Sequence, residues 1–317
     1  MTAEEVKGIL LGMASGQETL LGYFRRFIRN FEKRVGINRT VGSLRAYSNA
    51  YSHIERFLQA QYKLSDIPFS ALDRSFIDKY DLYLRTERNL APGTIINLTV
   101  QLKTIVGEAI ADGIITASPF MGYEPVRPKH VQKYLTAEEL HRIMTTPLHR
   151  QPLYHVRDMF LFSCFTGIPY GDMRLLTKDN LCLAEDGIWW IKSARQKTKI
   201  EFEIPLLDLP LQILKKYSGT APGDKLLPMY CNSTLNLYLK EIARICHIDR
   251  PLVFHAGRHT YATEITLSHG VPLETVSRML GHSQIETTQI YAKVTDEKID
   301  AAPRHEPKNF GAFSVVI

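Results

Sequence analysis

The sequence contains no apolar run approaching the ~20 residues of a membrane-spanning helix, so a helical membrane protein is excluded. It has only four cysteines, Cys164, Cys182, Cys231 and Cys246, and no Cys-x-x-Cys pair. A disulfide framework or zinc ribbon is therefore not expected, and the cysteines read as buried free thiols of a reducing compartment. There is no Gly-x-x-x-x-Gly-Lys-Ser/Thr loop, which removes the usual cradle for a nucleoside triphosphate. Internal repeats and low-complexity segments are also missing. The opening Met-Thr-Ala-Glu-Glu is acidic and lacks an apolar core, so no secretory leader is expected. These absences point to a cytoplasmic protein with no membrane-spanning segment.

What is present is ordinary globular material: 317 residues, 44% hydrophobic and 23% charged, enough for about two domains at ~150 residues each. Lys and Arg number 39 against 33 acidic residues, a formal charge of +6. That balance suits a polyanionic partner, nucleic acid or an anionic membrane surface, and equally a merely basic soluble protein.

The first third has helical spacing throughout. Leu20, Phe24, Phe27 and Phe31 make one stripe, and Leu44, Tyr47, Tyr51, Ile54 and Leu58 a second. Phe76, Tyr80 and Leu84 make a third, and Ile95, Leu98, Leu102, Ile105 and Ala109 a fourth, entered through Pro92. A bundle of about four helices over residues 1–118 follows. Arg25, Arg26, Arg39 and Arg45 lie between the stripes and read either as a solvated face or as a phosphate-contacting surface. Residues 119–134 hold Pro119, Pro125 and Pro128 with Arg127, Lys129 and Lys133, and are expected to form an extended basic linker. Thr136 and Glu139 form a capping box, with Leu135 and Leu140 as its hydrophobic staple, so a second domain is expected over 135–317. It should hold one strand pair, 188–191 with 201–204, joined by a cationic tip containing Arg195, Lys197 and Lys199. Gly281 should end one helix, and Ser283 with Glu286 should cap the next.

The chemistry lies in that second half. His255 and Arg258 are three apart and share a helix face, a pairing suited to phosphate: Arg as a fixed fork of donors, His as a proton carrier. Alone, such a pair is more often a surface feature. His255 and His259 have zinc-helix spacing, but Ala256 stands where the His-Glu-x-x-His pattern needs Glu. Gly281-His282 follows, and then Tyr291, which alone would read as a packing residue.

Taken in order, His255-x-x-Arg258, Gly281-His282, Tyr291, the hairpin Lys197, the Thr166-Gly167-Ile168 box and Asp172 resemble the tyrosine recombinases, or phage integrase family, over nearly the whole chain. The style is closest to integrases of conjugative and mobilisable elements. The resemblance implies a mainly α fold with a small antiparallel sheet: a helical core-binding domain followed by a mixed α/β catalytic domain. It implies site-specific breakage and rejoining of double-stranded DNA through a 3′-phosphotyrosyl intermediate, in the integration or excision of a mobile element. Tyr291 would attack, His255 accept its proton, Arg258 and His282 stabilise the pentacoordinate phosphorus, Lys197 protonate the leaving oxygen and Asp172 orient cations. No cofactor, ATP or metal is implied. A homotetramer on DNA is, with a monomer free in solution and room for accessory DNA-bending proteins. Arg25, Arg26, Arg39, Arg45, Arg127 and Lys129 are the DNA-contact candidates.

One position departs from the family. Pro169 stands where an arginine usually helps bind the scissile phosphate. Arg195, two residues from Lys197 on the same side of an extended arm, is the expected substitute, with Arg174 in reserve. A further N-terminal arm-binding domain is frequent in such integrases, and residues 1–19 offer only one short helix. Three other readings stand beside recombination: a DNA-binding regulator whose site decayed at Pro169, a type IB topoisomerase, and a metal-dependent hydrolase.

Overall fold

The computed structural model describes residues 18–127 and 134–292, which fall into two compact units divided between residues 130 and 131. The first unit is helical. Its helices are α1 (Leu20–Glu32), α2 (Val41–Phe57), α3 (Arg74–Thr86) and α4 (Pro92–Ala111). Their starts follow local chemistry: Thr40 Oγ1 accepts from the Ser43 amide, Asp73 accepts from the Phe76 amide, and Pro92 occupies the first turn of α4, where its missing N–H is harmless. The four apolar stripes converge on one core around Phe24, Ile54, Phe57, Tyr80, Leu102 and Ile105. Burying each such side chain contributes roughly 1.5–3 kcal/mol before conformational entropy is set against it.

The expected linker begins later than its prolines suggest. Phe120 is buried in the helical core, Tyr123 donates its hydroxyl to Asp81 at 2.7 Å, and Arg74 reaches the Met121 carbonyl at 3.0 Å. Proline breaks helix but does not prevent packing, so residues 120–123 fold onto the bundle and belong with it. Arg127 is exposed, while Lys129 and Lys133 lie outside the described residues.

The second unit surrounds one apolar helix. Its elements are α5 (Ala137–Thr145), α6 (Gln151–Thr166), α7 (Tyr170–Met173), β1 (Leu181–Leu183), β2 (Trp189–Ala194), β3 (Glu201–Pro205), α8 (Asp208–Lys216), α9 (Asn232–Ile245), α10 (Ala256–Thr260), α11 (Leu273–Leu280) and α12, whose described part is residues 286–292. The capping box forms at Thr136, and Leu135 and Leu140 are both buried. α6 is buried along most of its length, on nearly every side from Val156 onward, and is the central helix, packed by α8, α9 and α10.

The sheet has three strands in the order β1-β2-β3, all antiparallel, where a single pair was expected. β1 is three residues long with only Leu181 half-buried, too short for an alternating pattern to register. In β3, Phe202 and Ile204 point inward while Glu201 and Glu203 face solvent. Two further expectations need correction. α12 starts at residue 286, three residues after Ser283, with the Thr288 and Gln289 amides both bonded to the Ile285 carbonyl. All four cysteines are free, but Cys182 and Cys231 are exposed and only Cys164 and Cys246 are buried. Among the described residues no helix is long and apolar enough to cross a membrane, and no group of three His, Cys, Asp or Glu could hold a metal ion.

Candidate active site

Two helix ends create the centre of the site. α6 stops at Gly167 (φ 68°), whose amide bonds back to the Ser163 carbonyl. α11 stops at Gly281 (φ 62°) in a Schellman arrangement: the Gly281 amide bonds to the Arg278 carbonyl and the His282 amide to the Ser277 carbonyl. Left-handed backbone suits glycine, and space demands it too. A Cβ on Gly281 would meet Arg195 Cγ at 2.7 Å, and one on Gly167 would meet Tyr261 Cδ1 at 2.5 Å. Both corners turn a carbonyl, Gly167 O and Leu280 O, toward one point at the negative ends of two helix dipoles.

A guanidinium occupies that point. Arg258, carried by α10, is 3% exposed and donates Nη1 to Gly167 O at 2.9 Å and Nη2 to Leu280 O at 2.6 Å. Its Nη2 also lies 2.9 Å from His282 Nε2. Burial, and then the like charge of Arg195, lower its pKa to about 10, which leaves it charged at neutral pH. α10 runs straight into a π-helical turn, Tyr261–Thr266, a distortion common at functional sites.

Arg195 arrives at the same carbonyl from the sheet. It follows the last residue of β2, and its Nη1 donates to Leu280 O at 3.1 Å. Its Nε lies 2.8 Å from Asp172 Oδ2, an ion pair whose angle is poor for a hydrogen bond. The other carboxylate oxygen of Asp172 accepts the Gln196 amide at 2.9 Å, so Asp172 ties both the side chain and the hairpin backbone to α7. Two cationic forks therefore share one acceptor. Arg174 takes no part: it is exposed and lies over the Tyr170 ring.

Tyr291 closes the cluster from α12. It is 5% exposed, and its hydroxyl lies close enough to Arg258 to feel that charge. Burial raises its pKa, and the charges of Arg258 and Arg195 oppose that rise. The His282 ring stacks parallel to it, with centroids 6.4 Å apart, and the His259 ring meets it edge-on at 5.2 Å. His282 is held neutral, its pKa pushed down to about 4 by burial and then by the two arginines.

Not every expected member is assembled. His255 is exposed at the start of α10, with its ring 4.9 Å from that of His259, which stands between it and Tyr291. Lys197 is exposed in the β2–β3 turn. In the first unit Arg25, Arg26, Arg39 and Arg45 are exposed. Arg25 donates to the Tyr51 hydroxyl at 2.6 Å, Arg26 lies over Tyr23 and pairs with Glu18, and Arg39 lies over Phe31.

The sequence matches the phage integrase family model over residues 133–298 and a phage integrase SAM-like domain over 19–125. The chain belongs to the phage integrase family. It is a tyrosine recombinase, a site-specific enzyme that cleaves and rejoins DNA. The chain is similar to the tyrosine recombinase XerD of Listeria monocytogenes, 26% identical over 273 residues, covering 81% of this chain and 89% of that protein. It is 28% identical to XerD of Chlorobaculum tepidum over 190 residues, which is 54% of this chain and 60% of that protein. Its fold is similar to that of lambda integrase residues 75–356, seen as a dimer on a COC′ core site, with a TM-score of 0.72 at 18% identity, covering 92% of this chain and all of that one. It is also similar to the Tn1549 transposon integrase bound to transposon right-end DNA, with a TM-score of 0.67 at 18% identity, covering 89% of this chain and all of that one.

The family match spans every catalytic candidate from Asp172 to Tyr291. Some members of the cluster leave no mark in sequence. Leu280 takes part through its carbonyl, which any residue carries. Thr288 contacts His282 Nδ1 at 2.7 Å from the helix that bears Tyr291. Its only sequence signal is that it precedes Tyr291 by three, the spacing of one helix face.

Proposed function

We propose that this recombinase integrates or excises a mobile element by a 3′-phosphotyrosyl route, with Tyr291 as nucleophile and Arg195 in place of the arginine missing at Pro169. The observation that carries this reading is the convergence of Arg195 and Arg258 on the Leu280 carbonyl, beside the Tyr291 hydroxyl. A phosphodiester resists attack because it is anionic and because its leaving alkoxide is poor. Two guanidiniums fixed in a partly dry site answer the first difficulty, since donors that need no reorganisation stabilise developing charge best. The Leu280 and Gly167 carbonyls act as placeholders for phosphate oxygens: they hold the forks ready and yield to a stronger acceptor.

In this reading Tyr291 attacks phosphorus, the 3′-phosphotyrosyl bond forms and the 5′ oxygen leaves. Arg258, Arg195 and His282 hold the pentacoordinate phosphate. Asp172 keeps Arg195 aimed inward. His255 and Lys197, both exposed, are the proton acceptor and the proton donor to the leaving oxygen, and duplex DNA covering the site brings them into register. The bond energy stays in the phosphotyrosine, so rejoining is the same step run backwards with the other strand. Exchange between two duplexes requires four such sites, hence a homotetramer on DNA. The exposed arginines of the first unit and Arg127 would meet phosphates. The helical unit of residues 18–127 is read as the core-binding domain and the unit from residue 134 as the catalytic domain.

The test is a nicked suicide duplex, in which the cleaved strand diffuses away and traps the covalent adduct. Wild type should form adduct with EDTA present, and Tyr291→Phe none. An adduct that persists in the Phe variant sinks the proposal. A supercoiled circular-intermediate substrate with its attachment site then separates mobile-element integration from topoisomerase-like relaxation, which leaves the two sites unjoined. A decayed regulator would bind DNA and form no adduct in either protein.

A further inference from the structure

His282 is held at both ring nitrogens. A guanidinium has only donors, so Arg258 Nη2, at 2.9 Å, makes Nε2 an acceptor. The proton of the neutral ring then sits on Nδ1 and points at Thr288 Oγ1, 2.7 Å away. Thr288 is fully buried and lies one helical turn before Tyr291 on α12. A single hydroxyl thus joins the helix that carries the tyrosine to the loop that carries His282, and through His282 to Arg258.

We infer that Thr288 is a positioning residue, which fixes the His282 ring and holds α12 so that Tyr291 faces Arg258. This deepens the reading of Tyr291 as nucleophile and rests on it. The choice of a hydroxyl has a chemical reason. With the site empty, Arg258 fills Nε2 and the threonine oxygen accepts the Nδ1 proton. With a phosphate present, Arg258 turns to it, and His282 is useful only as a donor from Nε2. The ring then loses one proton from Nδ1 to solvent and gains one at Nε2, with no net change in charge. The threonine hydroxyl reverses its role and donates to the bare Nδ1. Donor and acceptor in one group serves both tautomers. A carboxylate there would instead favour the imidazolium, and an apolar side chain would leave a buried N–H unsatisfied.

The test uses the full chain, the nicked suicide duplex and variants of Thr288, with Tyr291→Phe beside them. Thr288→Val removes the hydroxyl at similar volume and should slow adduct formation by about 10- to 100-fold, the effect of one buried hydrogen bond lost from the reacting arrangement. Thr288→Ser keeps the hydroxyl and should react close to the wild-type rate. DNA retention in a gel-shift assay should be unchanged in both. Long-range proton–nitrogen NMR of free protein should show the Nδ1–H tautomer of His282 in wild type and Thr288→Ser, and a mixture in Thr288→Val. If the valine variant does not fold, Thr288→Ala gives the same comparison. Wild-type cleavage by Thr288→Val, or a serine variant as slow as the valine one, overturns the inference. Adduct formation by Tyr291→Phe overturns the nucleophile instead, and the NMR comparison still decides whether Thr288 sets the His282 tautomer.

Discussion

Removing Arg195 should separate the chemistry of the site from its stability. In wild type Arg195 bonds to the Leu280 carbonyl at 3.1 Å and pairs with Asp172 at 2.8 Å. Loss of one preorganised donor to a developing oxyanion costs ~2.7–4 kcal/mol, so Arg195→Ala should cleave about 10²–10³ more slowly. Folding suffers too, since Asp172 is left without its cation. Breaking a buried ion pair costs ~3–5 kcal/mol, and the low end applies because the Gln196 amide still solvates Asp172 and Arg195 is 15% exposed. The Asp172→Asn/Arg195→Ala double variant removes the orphan charge. It should recover part of the folding stability and none of the rate. Adding Pro169→Arg, which puts a guanidinium at the family's usual position, should recover part of the rate. The measurements are urea unfolding and single-turnover adduct formation on nicked DNA at saturating protein. Wild-type cleavage by Arg195→Ala refutes the assignment. So does a double variant whose rate returns with its stability, because Arg195 would then only hold the fold.

Gly281→Ala should cost more cleavage than stability: the left-handed backbone penalises alanine by ~1–2 kcal/mol, and the new methyl displaces Arg195 from the Leu280 carbonyl, so unfolding and adduct assays should diverge. The depressed His282 pKa, about 4 against an ordinary 6.5, means the unfolded chain binds more protons than the folded one between those values. Stability contributed by the neutral ring is full above pH 6.5 and is lost as pH falls toward 4. His282→Gln should therefore lose less stability over that window, and equal losses in parallel urea titrations would count against the assignment. At the start of α9, Cys231 has its pKa lowered to about 7 by hydrogen bonds, first from Ser233 and then from Thr234. Iodoacetamide at pH 7 should label it before Cys182, with buried Cys164 and Cys246 reacting only after unfolding; mass spectrometry of the peptides checks the order.

The helices of the first unit were legible because each carries its own apolar stripe at a 3.6-residue period, and Thr136 with Glu139 announced α5 by a local hydrogen-bond exchange. The strand β1 was not legible, because three residues are too few to show alternation and its pairing with β2 is a tertiary fact. The packed part of the linker was hidden for a related reason. Proline reports backbone conformation, while the burial of Phe120 depends on helices distant in sequence. The start of α12 differs from the expectation because Ser283 has a capping side chain, yet the Schellman turn at Gly281 uses the residues beside it and the helix opens only after Ile285.

The sequence by itself determined which residues were candidates for the site: a histidine, an arginine, a second histidine and a tyrosine in a fixed order, with a proline where an arginine was due. Residue type and order are properties of the chain, and a family is recognisable from them. Only the tertiary structure decided which groups meet. It brought Arg195 from a hairpin and Arg258 from a helix onto one backbone carbonyl, left His255 and Lys197 exposed, and placed Thr288 behind His282. Those relations depend on two glycine corners that aim carbonyls at a common point, and a carbonyl is carried by every residue alike. The identity of Leu280 says nothing about the part its backbone plays.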